Sequence, residues 1–139
     1  VIDVYSYETG ERQPKIEKIQ TISTTGPKAL SQLTAASSMR LSTDEKHMFC
    51  GNAGDNTVTV YDRDPKTGLL DYICCLPISG SYPKDICVFP DDKHIASINH
   101  ENGSITFFSV DYKKGLLIMN GKEIRVNEPN SCVIVKVGE

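Results

Sequence analysis

The sequence predicts an all-β protein assembled from repeated four-stranded antiparallel sheets, and three observations carry that prediction. The first is a repeat. STDEKHMFCGNAGDNTVTVYDRDPKTGLL (Ser42 to Leu70) returns 47 positions later as FPDDKHIASINHENGSITFFSVDYKKGLL (Phe89 to Leu117) without a gap. The second is that each copy breaks into short runs rich in β-branched and aromatic residues, parted by clusters of Asp, Asn, Gly and Pro. The third is that several runs, ITFFSV among them, are apolar on both faces, as strands are when their sheet is covered on both sides.

Taken in order, the elements follow from these patterns. VIDVYSYETGERQPKIE resembles VTVYDRDPKTGLLD, so residues 1–35 read as the end of one unit. KALSQLTAASS (Lys28 to Ser38) comes nearest to helical spacing but is short, and reads as a loop. Residues 36–82 form a whole unit: the runs SMRLS, HMFCGN, TVTVYD and LLDYICCL, separated by TDEK, AGDN and DPKTG. Residues 83–128 repeat it with DICVF, HIASIN, SITFFSV and LLIMNGKEI. PNSCVIV resembles PKDICVF, so residues 129–139 begin a further unit. Gly68 and Gly115 stand at the same point of a K-x-G-L-L hairpin, where a positive φ is expected. Four strands at a period of 40 to 50 residues are the signature of a β-propeller blade, and one blade alone cannot bury both its faces. The expected architecture is a β-propeller fragment of about three four-stranded antiparallel blades. The start at Val1, inside a strand-like run and without Met, reads as a cut in a longer protein.

Composition narrows the function classes. Fifteen Lys and Arg against eighteen Asp and Glu give a net charge of −3, which speaks against nucleic acid as a partner. No apolar run approaches the ~18 residues of a membrane span, so no membrane partner is expected. Five cysteines at irregular spacings, without a Cys-x-x-Cys pair, read as reduced, buried thiols in a cytoplasmic protein. Cys74 and Cys75 are expected to point to opposite faces of one strand. No Gly-rich phosphate loop or Gly-x-Ser-x-Gly elbow is present, and no cofactor is implied. Asp55, Asp64, Asp91 and Asp92 fall in turn clusters, where Asp caps backbone N–H groups, so no metal site is read from them. His47 and His94 both follow Lys in the same recurring turn, which marks them as structural; His100 has no repeat counterpart, Ala53 standing in its place.

The order of motifs in SMRLSTDEKHMFCGNAGDNTVTVYDRDPKTGLL, SYPKDICVFPDDKHIASINHENGSITFFSVDYKKGLL and PNSCVIV resembles the lactonase family of seven-bladed propellers, over essentially the whole chain and in its C-terminal part. That family includes propeller-type 6-phosphogluconolactonases and carboxymuconate-cyclase relatives. Seven units of this length would need roughly 330 residues. The resemblance implies that Cys132 to Val137 is a closing strand whose partners lie elsewhere in the ring. It also implies a small-molecule lactone or sugar acid as partner, bound at the channel rim by Arg, Glu and His on first and second strands. Carried over, the rim positions hold Lys84 after Pro83, Ser38 on a first strand, Ala53 after Asn52, and His100 after Asn99. Lys84, His100, Asn52 and Asn99 are therefore the candidate substrate-binding residues.

Two functions stand. One is a hydrolase (or a cyclase/isomerase relative) whose complete ring opens a sugar-derived lactone such as 6-phosphogluconolactone, this fragment alone being inactive. The other is a non-catalytic propeller, a binding or scaffold module, which Ala53 and Ser38 favour. Incomplete stacking further predicts a bare face at Phe107 or Phe108, Ile105 and Val88, an inner edge left open at Val1 to Tyr7, and self-association through those edges.

Overall fold

The computed structural model describes residues 1–10, 13–27, 34–135 and 137–138, and every described element is a strand or a turn. A hairpin of β1 (Ile2–Glu8) and β2 (Lys15–Ile22) comes first. A four-stranded antiparallel sheet follows, in the order β3 (Ala36–Leu41), β4 (His47–Asn52), β5 (Thr57–Arg63), β6 (Leu70–Pro77). The next sheet repeats it with β7 (Pro83–Val88), β8 (His94–Asn99), β9 (Ser104–Asp111) and β10 (Leu116–Met119). Strands β7 and β8 lie 47 positions beyond β3 and β4 at both ends, and β9 begins 47 beyond β5. Val58 and Ile105 occupy the same place in their sheets, opposite Gly51 and Ile98.

The turns repeat as faithfully as the strands. Left-handed backbone recurs at Glu45 and Asp92 (φ 58 and 55°), at Asn56 and Gly103 (55 and 57°), and at Gly68 and Gly115 (76 and 62°). The last pair meets the expectation for the K-x-G-L-L hairpin. The turn aspartates act on local N–H groups: Asp64 Oδ1 accepts from Lys66 and Thr67 (2.7 and 3.1 Å), and Asp91 Oδ1 from Lys93 and His94 (2.9 and 3.2 Å).

LLIMNGKEI departs from the single strand its pattern predicts. Asn120 exchanges hydrogen bonds with Ser109, Gly121 takes φ 76°, and pairing with β9 resumes only at β11 (Ile124–Arg125). Residues 28–33 of the KALSQLTAASS stretch lie outside the described residues. Cys132–Val135 is not paired into a sheet, so the expected closing strand has no ladder here.

The sheet β3–β6 is covered on both faces, as its two-sided apolar strands demand. Towards the hairpin, Met48, Cys50, Tyr61 and Leu70 bury against Ile2, Val4 and Ile22. On the other face Phe49, Val58, Val60 and Cys74 close on Ile78, Ile86, Ile95 and Phe108. Alternation along β4 and β5 thus divides side chains between two cores. At Cys74-Cys75 the same alternation sends Cys74 into the second core while the Cys75 thiol approaches Thr57 Oγ1 at 3.3 Å.

Two expectations are corrected. Phe108 and Val88 face the core between the sheets rather than a bare surface. Cys87 and Cys132 are bridged, not free, while Cys50, Cys74 and Cys75 remain thiols. Sequence spacing hides this pair because the C-terminal segment returns beside β7 only through tertiary folding.

Candidate functional site

The first strand of each of the two larger sheets carries a break in register. Both β3 and β7 break register after their first residue, between Ala36 and Ser38 and between Pro83 and Asp85. A bulge takes one residue out of the ladder and re-aims its side chain. In β3 that residue is Ser37, whose hydroxyl donates to Pro83 O of the next sheet and to Gly51 O. In β7 it is Lys84, half-buried and, among the described residues, without an ion-pair or hydrogen-bond partner for its ammonium.

His100 lies just beyond the end of the β7–β8 ladder, across from Tyr82, which is two residues before Lys84 on the facing strand. Its N–H donates to Tyr82 O at 3.0 Å, extending the β7–β8 pairing by one step. Its imidazole lies 6.2 Å from the Tyr82 ring, and Nδ1 is 3.1 Å from Pro129 O. A carbonyl oxygen only accepts, so Nδ1 carries the proton and Nε2 of the neutral ring is left as the basic nitrogen. Ala53, its counterpart, repeats the backbone role (N–H to Ala35 O, 2.8 Å) and is buried, with nothing to offer a substrate.

Asn52 and Asn99 are both at 0% exposure. The Asn52 amide donates to Thr24 O (2.9 Å), Thr57 Oγ1 (3.3 Å) and Thr59 Oγ1 (3.0 Å). That of Asn99 donates to Ser104 and Thr106 (3.2 and 3.1 Å), and Thr106 in turn donates to Ile78 O (3.0 Å). In each case the network ends on a carbonyl that follows the outer strand of the preceding sheet. The Asn52 amide reaches the preceding sheet directly, that of Asn99 only through Thr106; Lys84 lies in the β7 bulge and His100 at the end of β8, paired with Tyr82.

Sequence reasoning passed over Asp85. Its side chain is 4% exposed, and Arg40 Nη2 reaches Oδ1 and Oδ2 at 2.8 and 2.9 Å from β3. Ile86 N–H, Ser131 Oγ and Cys132 N–H complete the shell at 2.9, 3.0 and 3.2 Å. The signal was a mismatch in the repeat, since Asp85 stands 47 positions after Ser38. A buried carboxylate so fully matched is a structural tie beside the bulge, not a free base.

The recurring histidines sit at the opposite ends of their strands. His47 stacks on Tyr112 of the next sheet (3.6 Å between centroids) with Nε2 3.2 Å from Asp62, and His94 Nδ1 is 2.6 Å from Asp91. A cavity of about 290 Å³ opens among Ile2, Val4, Met39, Leu41, Met48 and Leu70, on the hairpin side and away from Lys84. Burial pushes the Cys50 and Cys74 thiols up to about 11, so neither is a nucleophile near neutral pH.

Comparison with known proteins agrees with this architecture. A family model described as lactonase, 7-bladed beta-propeller, matches residues 1–135. An uncharacterized protein of Lactococcus lactis subsp. lactis is 27% identical over 133 residues, covering 96% of this chain and 38% of that protein. The 6-phosphogluconolactonase of Bacillus subtilis is 20% identical over 127 residues, covering 91% and 36%. Among solved structures, the periplasmic gluconolactonase PpgL of Pseudomonas aeruginosa superposes with a TM-score of 0.74 at 18% identity, over 92% of this chain and 35% of that one. A protein from Lactobacillus plantarum gives 0.74 at 21%, over 93% and 37%. At such identities the structural likeness speaks for the fold alone. The chain spans a little over a third of the length of these curated relatives.

Proposed function

The chain belongs to the seven-bladed lactonase propeller family, and on that premise we propose that it supplies part of the rim at which a complete ring hydrolyses a sugar-derived lactone. The observation that carries this reading is the His100 imidazole, whose Nδ1–H is committed to Pro129 O so that Nε2 can take a proton, at the end of the ladder whose facing strand carries Lys84 in a bulge. Lys84 would hold the carboxylate or phosphate of a sugar acid by charge, without the two-pronged grip of an arginine. His100 would draw a proton from the water that attacks the lactone carbonyl. The tetrahedral intermediate then collapses, the ring C–O bond breaks, and the leaving alkoxide takes a proton as the open acid forms. A phosphorylated gluconolactone is the reference substrate, in keeping with the name of the Bacillus subtilis relative.

The reading also divides the chain into blades at 36–82 and 83–128, with 1–35 ending an earlier blade and 129–139 beginning the closing strand. A cytoplasmic setting is part of it: the three unbridged thiols support it, while the Cys87–Cys132 bridge counts against it.

The test is lactone hydrolysis by the full-length polypeptide that carries this chain. Lys84→Ala should raise KM while Lys84→Arg restores it, and His100→Ala should lower kcat by about a hundredfold. Turnover unchanged in both alanine variants would sink the proposal, and absence of turnover in the unaltered protein would leave a binding module in its place.

A further inference from the structure

We propose that Cys87 and Cys132 are a redox latch that holds the C-terminal segment against the rim, closed when oxidised and free when reduced. The repeat itself locates the latch. Arg40 on β3 and Asp85 on β7 tie one inner strand to the next through a buried ion pair. Forty-seven positions on from Arg40 stands Cys87, and forty-seven on from Asp85 stands Cys132. At equivalent places between successive inner strands, one junction carries an ion pair and the other a disulfide. Their Cα atoms are 6.2 Å apart, within the ordinary span of the bond.

The segment the bond fixes touches the rim directly. Pro129 O receives the His100 ring proton, while Ser131 Oγ and Cys132 N–H donate to Asp85. Without the bond, the polar contacts that hold residues 129–132 to β7 and His100 are these three hydrogen bonds, and segments held chiefly by such bonds open locally.

The chemistry needs only a small-molecule disulfide such as oxidised glutathione. Cys132, the more accessible of the two, attacks it as thiolate; the glutathione S–S bond breaks, one glutathione thiolate leaves, and a mixed disulfide forms on Cys132. Cys87, buried beneath the segment, attacks the Cys132 sulfur and expels the second glutathione. Two protein thiols are oxidised, one glutathione disulfide is reduced, and the two thiol protons end on the two released glutathiones. A reduced dithiol reverses both steps. The latch stands whether or not the rim hydrolyses a lactone, because its readouts do not involve turnover.

To test it, the protein is equilibrated with glutathione mixtures of increasing oxidised fraction, quenched with N-ethylmaleimide and digested without reductant. A peptide linking Cys87 to Cys132 should replace their alkylated forms, with Cys50 and Cys74 unlinked throughout. In parallel, amide hydrogen exchange at residues 130–132 should slow by about tenfold or more on oxidation, and dithiothreitol should restore the faster rate. Cys132→Ser should exchange like the reduced protein in both buffers. Glutathione left on Cys132 with no link to Cys87 would overturn the proposal. So would a link that leaves exchange unchanged, or protection that persists in Cys132→Ser.

Discussion

Asp85 keeps its carboxylate almost wholly out of water and answers it with one guanidinium and three hydrogen-bond donors. Removing the cation leaves a buried negative charge with neutral donors only, so Arg40→Ala should destabilise the protein by about 1–3 kcal/mol, read as a lower urea midpoint. The half-exposed Arg40 places the expectation below that for a fully buried pair. A midpoint unchanged within error would mean that water replaces the guanidinium. Asp85 also shows how a repeat is best read. Positions that agree between copies, such as His47 with His94, proved to belong to turns and packing, whereas the disagreements Ser38/Asp85 and Ala53/His100 mark where the two sheets differ chemically.

At the scale of the strand, Asn52 and Asn99 end the second strand of each sheet and spend their amides on the third strand. Asn52→Ala would strip Thr24 O of one donor, leave Thr59 without its donor and leave Thr57 with the Cys75 thiol alone, and should cost about 2 kcal/mol in chemical denaturation. A loss under half of that would show that Thr59, which also donates to Thr24 O at 2.5 Å, suffices alone. The strands and turns were legible because each rests on local chemistry: β-branched runs, Asp-capped turns and a left-handed residue at fixed offsets. What escaped was set by distant parts of the chain. The break in LLIMNGKEI depends on Asn120 meeting Ser109 across the sheet, and the Cys87–Cys132 bridge on a segment that returns over 45 residues. Lys84 and His100 were legible as neighbours of Pro83 and Asn99. That a bulge and a carbonyl would orient them was not.

Across the whole molecule, the middle sheet is enclosed while the flanking elements are not. Tyr5, Tyr7 and Ile16 on the hairpin are 53%, 73% and 64% exposed, and among the described residues β1 pairs only with β2. A strand edge beside apolar side chains is a template for pairing. The chain should therefore sediment as a dimer or larger species at micromolar concentration, with Tyr7→Lys shifting it towards monomer; a monomer throughout the concentration series would contradict this. The enclosure of the middle sheet also has an optical consequence. The chain has six tyrosines and no tryptophan, so its near-ultraviolet signal belongs chiefly to phenols. Tyr61 lies in the first core with its hydroxyl 2.6 Å from Ser23 O, and Tyr112 lies against His47 at the second junction. Burial, reinforced by nearby negative groups, raises both phenols above their ordinary value of 10.0. A raised folded value means their contribution is complete below pH 10 and is lost as pH rises further. In an alkaline titration followed at the phenolate band, these two rings should ionise late and in step with unfolding, and Tyr61→Phe and Tyr112→Phe would each silence one junction, turning the absorbance into a separate gauge of how each pair of neighbouring sheets comes apart.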